Sequence, residues 1–184
     1  MSIFDELPNQ IDVQFDDLAI YCSDKSYEVG SFPNAVFFPK TLQDVQFIIQ
    51  WANRHNVACV PRGAGSGKTG GALAKKDACV ISTERMNKII EFDINNAMIR
   101  VQPGVLLQHI HDREELEGLF YPPDPASLAY CTIGGNVALN AGGPRAIKYG
   151  VTKDYVIGLS GVWANGDIFH LGAKQLKNVA GYDL

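Results

Sequence analysis

Behind Thr41, apolar residues recur at Leu42, Val45, Ile48, Ile49 and Ala52 with polar residues between them, a spacing that predicts an amphipathic helix. Thr41 and Asp44 supply its start signal, a capping box with aspartate where glutamate is usual. The run Val57, Ala58, Cys59, Val60 then reads as a short buried strand stopping at Pro61. Three further apolar runs, 78–82, 89–92 and 98–101, are separated by turn residues and read as strands. Pro103 and Gly104 interrupt this series. Leu106, Leu107, Ile110 and Leu116 mark a second amphipathic helix that Gly118 can end. The proline-rich segment 121–127 must be a rigid loop. Farther on, apolar runs at 155–163 and 168–171 flank Asn165-Gly166, a strong hairpin signal. Helices mixed with hairpin strands, without strict βαβ alternation, predict an α+β fold. A boundary beside Pro103 and Gly104 divides it into subdomains 1–103 and 104–184.

A 184-residue chain that is 46% hydrophobic and 20% charged has ample material for a core. Its net charge of −4 argues against a nucleic-acid binder, which needs a basic face. No apolar run approaches the roughly 20 residues of a membrane-spanning helix. The first residues lack the basic and apolar regions of a secretory signal. These features predict a cytoplasmic protein that reaches a membrane only peripherally, through partners. Cys22, Cys59, Cys79 and Cys131 form no C-x-x-C pair, so buried reduced thiols are expected rather than disulfides or a metal site.

Two glycine-dense stretches carry the candidate chemistry: PRGAGSGKTGG at 61–71 and TIGGNVALNAGG at 132–143. Such a backbone can turn successive N–H groups toward an anion. Two of them fit a long ligand held along its length, and a dinucleotide such as FAD suits that better than ATP. Gly67-Lys68-Thr69 is not a P-loop, because the pattern requires glycine where Arg62 stands. Residues 65–70 match G-x-G-x-x-G literally, but no helix follows before the strand at 78–82. A ligand-free surface loop is the plainer reading of the first stretch, and close packing of a helix on a sheet that of the second. Asn136 and Asn140 are four apart and share a face if the stretch is helical, where their amides can meet a heteroaromatic edge.

Taken together, residues 61–67, PPDPAS at 122–127, CTIGGN at 131–136, NAGGP at 140–144, KYG at 148–150 and VAGYDL at 179–184 resemble one family, with the similarity running from about Tyr21 onward. It comprises flavin-dependent oxidoreductases of the vanillyl-alcohol oxidase and p-cresol methylhydroxylase type, most nearly the FAD subunit of glycolate oxidase and the FAD-linked D-lactate dehydrogenases. The resemblance implies a two-subdomain α+β FAD-binding fold. The backbone of Arg62, Gly63, Ala64, Gly65, Ser66 and Gly67 would wrap the pyrophosphate. Asp124, Thr132, Gly134, Gly135, Asn136 and Asn140 would lie along the cofactor, with Gly142, Gly143 and Gly150 allowing close approach. Some relatives tether the flavin through a histidine where Ser66 stands, so non-covalent FAD is expected. Lys68 departs from the family's apolar residue; it can lean on the phosphates or extend into solvent, and solvent is preferred. Relatives continue past Leu184 into the rest of the second subdomain and a substrate cap, so a truncated form is expected.

In complete relatives a D-2-hydroxy acid gives a hydride to flavin while a base takes its hydroxyl proton. No catalytic residue is assigned here. His109 and His111 read as solvated helix residues, and Arg145 and Lys148 as a charged loop that could meet an anion. The expectation is the FAD-binding portion of an oxidoreductase for acids of the glycolate or D-lactate kind, inactive alone and open to partner subunits. The rivals are a non-catalytic flavin- or partner-binding module and a nucleotide-binding protein that does not use flavin.

Overall fold

Three strands in parallel, with an antiparallel strand at one edge, form the principal sheet of the computed structural model, which describes residues 3–172. These are β1 (Asp12–Gln14), β2 (Val36–Phe38), β3 (Cys59–Arg62) and β4 (Cys79–Ser82), in the order β1-β2-β4-β3. Alternation divides the side chains between two faces. Phe37, Cys79 and Ile81 pack against Ile48, Trp51 and Ala52 of helix α1 (Leu42–His55). Val36, Phe38 and Val80 face Leu18, Tyr21 and Ala74. Phe37, Ile48 and Trp51 are fully buried, and each such side chain contributes roughly 1.5–3 kcal/mol.

The capping box forms as the sequence predicts. Asp44 N–H donates to Thr41 Oγ1 at 3.1 Å, and Asp44 Oδ2 accepts from Thr41 N–H at 3.0 Å. Asn56, left-handed at φ 53°, ends the helix. One expectation shifts. The strand after α1 begins at Cys59 and runs through Pro61 to Arg62, rather than stopping at Pro61. Parallel pairing explains this, because among the described residues β3 lies at the sheet edge with β4 as its neighbour. A proline facing away from that neighbour loses no ladder bond.

The rest of the chain adds the hairpin β5 (Ile89–Asp93) and β6 (Met98–Val101), helices α2 (Leu107–Glu115), α3 (Ile133–Leu139) and α4 (Ala146–Tyr149), and the hairpin β7 (Gly158–Val162) and β8 (Ile168–Gly172). The Asn165-Gly166 turn is present, with Gly166 at φ 91°. Side chains of α1 hold it: Gln46 Nε2 donates to Gly166 O at 2.9 Å and Asn53 Nδ2 to Ala164 O at 2.8 Å. A further core joins Val105, Leu107, Ile110 and Cys131. The VAGYDL motif at 179–184 lies outside the described residues. Among the described residues no helix is long and apolar enough to cross a membrane.

Candidate functional site

Beyond Arg62, strand β3 gives way to a loop whose N–H groups are left over. Among the described residues, the backbone N–H groups of Gly63, Ala64, Gly65, Ser66 and Gly67 donate to no protein acceptor. Gly63, Gly65, Ser66 and Gly67 are half-buried and Ala64 is exposed, so successive donors without protein partners face a surface where an anion can be cradled. The loop runs beside α3. A Cβ on Gly63 would overlap Thr132 Oγ1 at the helix N-cap, and one on Gly67 would stand 2.8 Å from Leu139 Cδ1 at the last helical residue. Seven helical residues separate these contacts, a rise of about 10 Å. The two glycine-rich stretches therefore share one site.

Helix α3 is built for close approach rather than for donation. Its glycines cost about 1 kcal/mol each relative to alanine. Gly134 is needed because a Cβ there would lie 2.6 Å from Pro103 Cβ. The first-turn N–H groups are taken: Ile133 donates to Val105 O, Gly134 to Pro103 O, Gly135 to Thr132 Oγ1 and Asn136 to Thr132 O. The exception is a side chain. Asn136 is buried, and among the described residues its Nδ2 finds no nitrogen or oxygen acceptor, only the weakly accepting sulfur of Cys131 nearby. An orphaned amide costs about 1–3 kcal/mol unless something outside the chain accepts from it.

A cleft of about 520 Å³ opens at this junction, lined by Gly63, Ala64, Glu84, Asn87, Gly104, Leu106, His109 and Thr132. Nothing in the local pattern marks Glu84 or Asn87 for this cleft, and His109, read from sequence as a solvated helix residue, is exposed and lines it. Pro103 and Gly104 were legible only as a break. A larger groove of about 870 Å³ lies among α1, α3 and the two hairpins, but the glycine loop contributes nothing to its walls.

Arg62 points away from the free donors. Its buried guanidinium donates to Ile20 O and Ser23 O at 2.9 and 2.8 Å and to Ala72 O at 3.3 Å. Burial lowers its pKa, an effect that the Asp24 carboxylate opposes. Lys68 is exposed.

The remaining predicted residues brace one another. Asp124 Oδ2 pairs with Arg145 Nε at 3.1 Å, and a Cβ on Gly143 would overlap Asp124. Asn140 is the left-handed cap of α3 rather than a helical residue in phase with Asn136, and its Oδ1 accepts from Lys153 N–H at 3.0 Å. Gly150 at φ 85° closes over Asp154, whereas Gly142 packs on Ala146 and Val151. Behind Asp124, His111 meets Pro123 O at 3.0 Å and is mostly buried, so it is not the solvated residue that its helix position implied. His109 is exposed. No group of three metal-ligating side chains occurs among the described residues.

The unpaired donors of 63–67, the orphaned Asn136 amide and the Cβ-free cradle at Gly63 fit a nucleotide with a diphosphate and a polar ring. Comparison with known proteins identifies it. The FAD binding domain family matches residues 33–172. The chain belongs to that family, and FAD is its cofactor. This FAD binding domain is 45% identical over 165 residues to glycolate oxidase subunit GlcD of Bacillus subtilis, 90% of this chain and 35% of that protein. It is 38% identical over 188 residues to D-2-hydroxyglutarate dehydrogenase of Stutzerimonas stutzeri, 100% of this chain and 40% of that one. Its fold matches p-cresol methylhydroxylase with substrate bound at a TM-score of 0.74 and 24% identity, covering 91% of this chain and 33% of that one. The chain thus spans about a third to two fifths of the curated relatives' length.

Proposed function

We propose that this chain holds the FAD of an oxidoreductase acting on D-2-hydroxy acids of the glycolate or D-lactate kind. The observation that carries the reading is the run of five N–H donors in residues 63–67 lying along α3, with no acceptor among the described residues. Those groups would hold the diphosphate, and Asn136 Nδ2 would donate to a polar ring edge. When bound, FAD supplies a two-electron acceptor. The substrate assignment is supported by relatives named glycolate oxidase subunit, D-2-hydroxyglutarate dehydrogenase and D-lactate dehydrogenase.

Binding is non-covalent, because Ser66 offers a hydroxyl where a tether would need a stronger nucleophile. Residues 1–103 and 104–184 act as two subdomains with FAD at their junction. The cores follow this division in part: two clusters draw on residues 4–81, and a third is centred on Val105, Leu107, Ile110 and Cys131 but takes Ile99 and Val101 from across the boundary. The protein's own contribution is to orient the nucleotide and keep water from it. A substrate carboxylate needs a fixed cation, and Arg145 is committed to Asp124. Because the chain spans 35% and 40% of two relatives named for this chemistry, we take turnover to need a complementing polypeptide.

The test is to purify the protein, denature it and analyse the supernatant. Release of one intact FAD per chain, with no dye reduction by D-lactate, glycolate or D-2-hydroxyglutarate until a complementing polypeptide is added, is the expected result. Absence of flavin, or flavin that stays with the denatured protein, contradicts it. Flavin without any complementable activity would favour a flavin-binding module with no catalytic role.

A further inference from the structure

Arg62 and Lys68 are the charged residues of the glycine stretch; Lys68 is exposed, whereas Arg62 is buried and its hydrogen bonds go to carbonyls of the protein. Its Nη2 bridges the carbonyls of Ile20 and Ser23, and its Nη1 reaches Ala72. These acceptors lie in the segment packed beneath the loop and at the loop's far end. The guanidinium also lies 5.5 Å from the centre of the Tyr21 ring. Gly65, at φ +66°, lies directly against it, since a Cβ there would overlap Nη2. Lys25 N–H donates to Gly67 O at 3.1 Å, so the same segment grips the loop again. Asp24 contributes negative charge nearby, and its buried Oδ2 is otherwise unpartnered.

We propose that Arg62 is a positioning residue for the glycine loop: it ties residues 20–23 to residue 72 beneath Gly65 and so presents the donors of 63–67 without itself touching the nucleotide. The proposal rests on the reading that this loop holds FAD. A rigid fork can satisfy three carbonyls spread around it, whereas a lysine ammonium of the same charge is a single point. A direct phosphate contact would act only when nucleotide is bound, so its loss would leave amide exchange in the free protein unaltered. Arg62→Lys therefore separates the two roles.

The experiment uses the 184-residue protein, titrated with FAD and ADP at several salt concentrations, with amide hydrogen exchange measured in parallel without nucleotide. Arg62→Lys is expected to weaken both ligands about tenfold or more with an unchanged salt dependence. In the free protein it is expected to speed exchange in 18–26 and 63–72 but not in β4. Wild-type affinity in Arg62→Lys, or unaltered exchange in both segments, overturns the proposal. If wild-type protein binds no FAD, the flavin reading fails, and exchange alone still decides whether Arg62 braces the loop. If Arg62→Lys does not fold, Gly65→Ala decides: displacing the guanidinium must weaken FAD, and normal affinity there overturns the proposal.

Discussion

Gly63 and Thr132 stand so close that a methyl group on the first would overlap the hydroxyl of the second. One begins the glycine loop and the other caps α3, so this contact sets the spacing between the two glycine-rich stretches. With the hydroxyl gone, the nearest remaining atoms within 4 Å would be Thr132 Cβ at 3.7 Å and Gly135 Cα at 3.9 Å, ordinary contacts.

A double-mutant cycle follows. Gly63→Ala should cost about 1–3 kcal/mol through overpacking, and Thr132→Ala about 1 kcal/mol through loss of the cap. The double variant should be more stable than the sum of the two losses by at least about 1 kcal/mol. Urea unfolding of the four proteins checks this, and strict additivity would show that the contact is absent.

Glu114 gives a pH prediction. Burial raises its carboxyl pKa above the usual range, partly offset by the Tyr121 N–H and by His111. The folded state then binds more protons than the unfolded one between the two pKa values, so stability falls as pH rises through that window. Thermal melts from pH 4 to pH 7 should show the decline, and Glu114→Gln should flatten it. A wild-type profile rising over the same range, unchanged by the substitution, would contradict the assignment.

The cysteines should be reduced and slow to react. Burial pushes Cys59 up to about 12 and Cys79 up to about 11, and Cys131 is raised for the same reason. Iodoacetamide at neutral pH should label the native protein far more slowly than the unfolded one. Mass spectrometry should find four alkylated thiols after denaturation without reductant.

The turn at Gly166 should matter to stability although it lies far from the loop in sequence. Its φ of 91° opposes a side chain, and so does the Gln50 Cγ that an added Cβ would meet at 2.6 Å. Gly166→Ala should cost about 1–2 kcal/mol, and Gln46→Ala about 1 kcal/mol. Chemical denaturation measures both, and a loss under a few tenths from each would mean that the hairpin is not held by α1.

Much of this was legible in sequence. The capping box of Thr41 and Asp44 and the Asn165-Gly166 turn are local devices, and local chemistry decides them. The glycine stretches were legible as places of close approach, because glycine at 63, 65 and 134 meets Thr132, Arg62 and Pro103 at distances that a larger residue would disturb. What escaped was tertiary. The inward bracing by the Arg62 side chain was not legible, because its partners, Ile20, Ser23 and Ala72, act through backbone carbonyls that carry no sequence signal. Asn140 seemed to match Asn136 until the helix ended beneath it. Glu84 and His109 reach the cleft only through the packing of separate elements.

The most direct measurement is the amide spectrum of isotope-labelled protein with and without FAD. Binding is predicted to shift the backbone amides of 63–67 and the side-chain amide of Asn136 together, at one FAD per chain. FAD binding that leaves those signals unmoved, or no binding at all, would contradict the account.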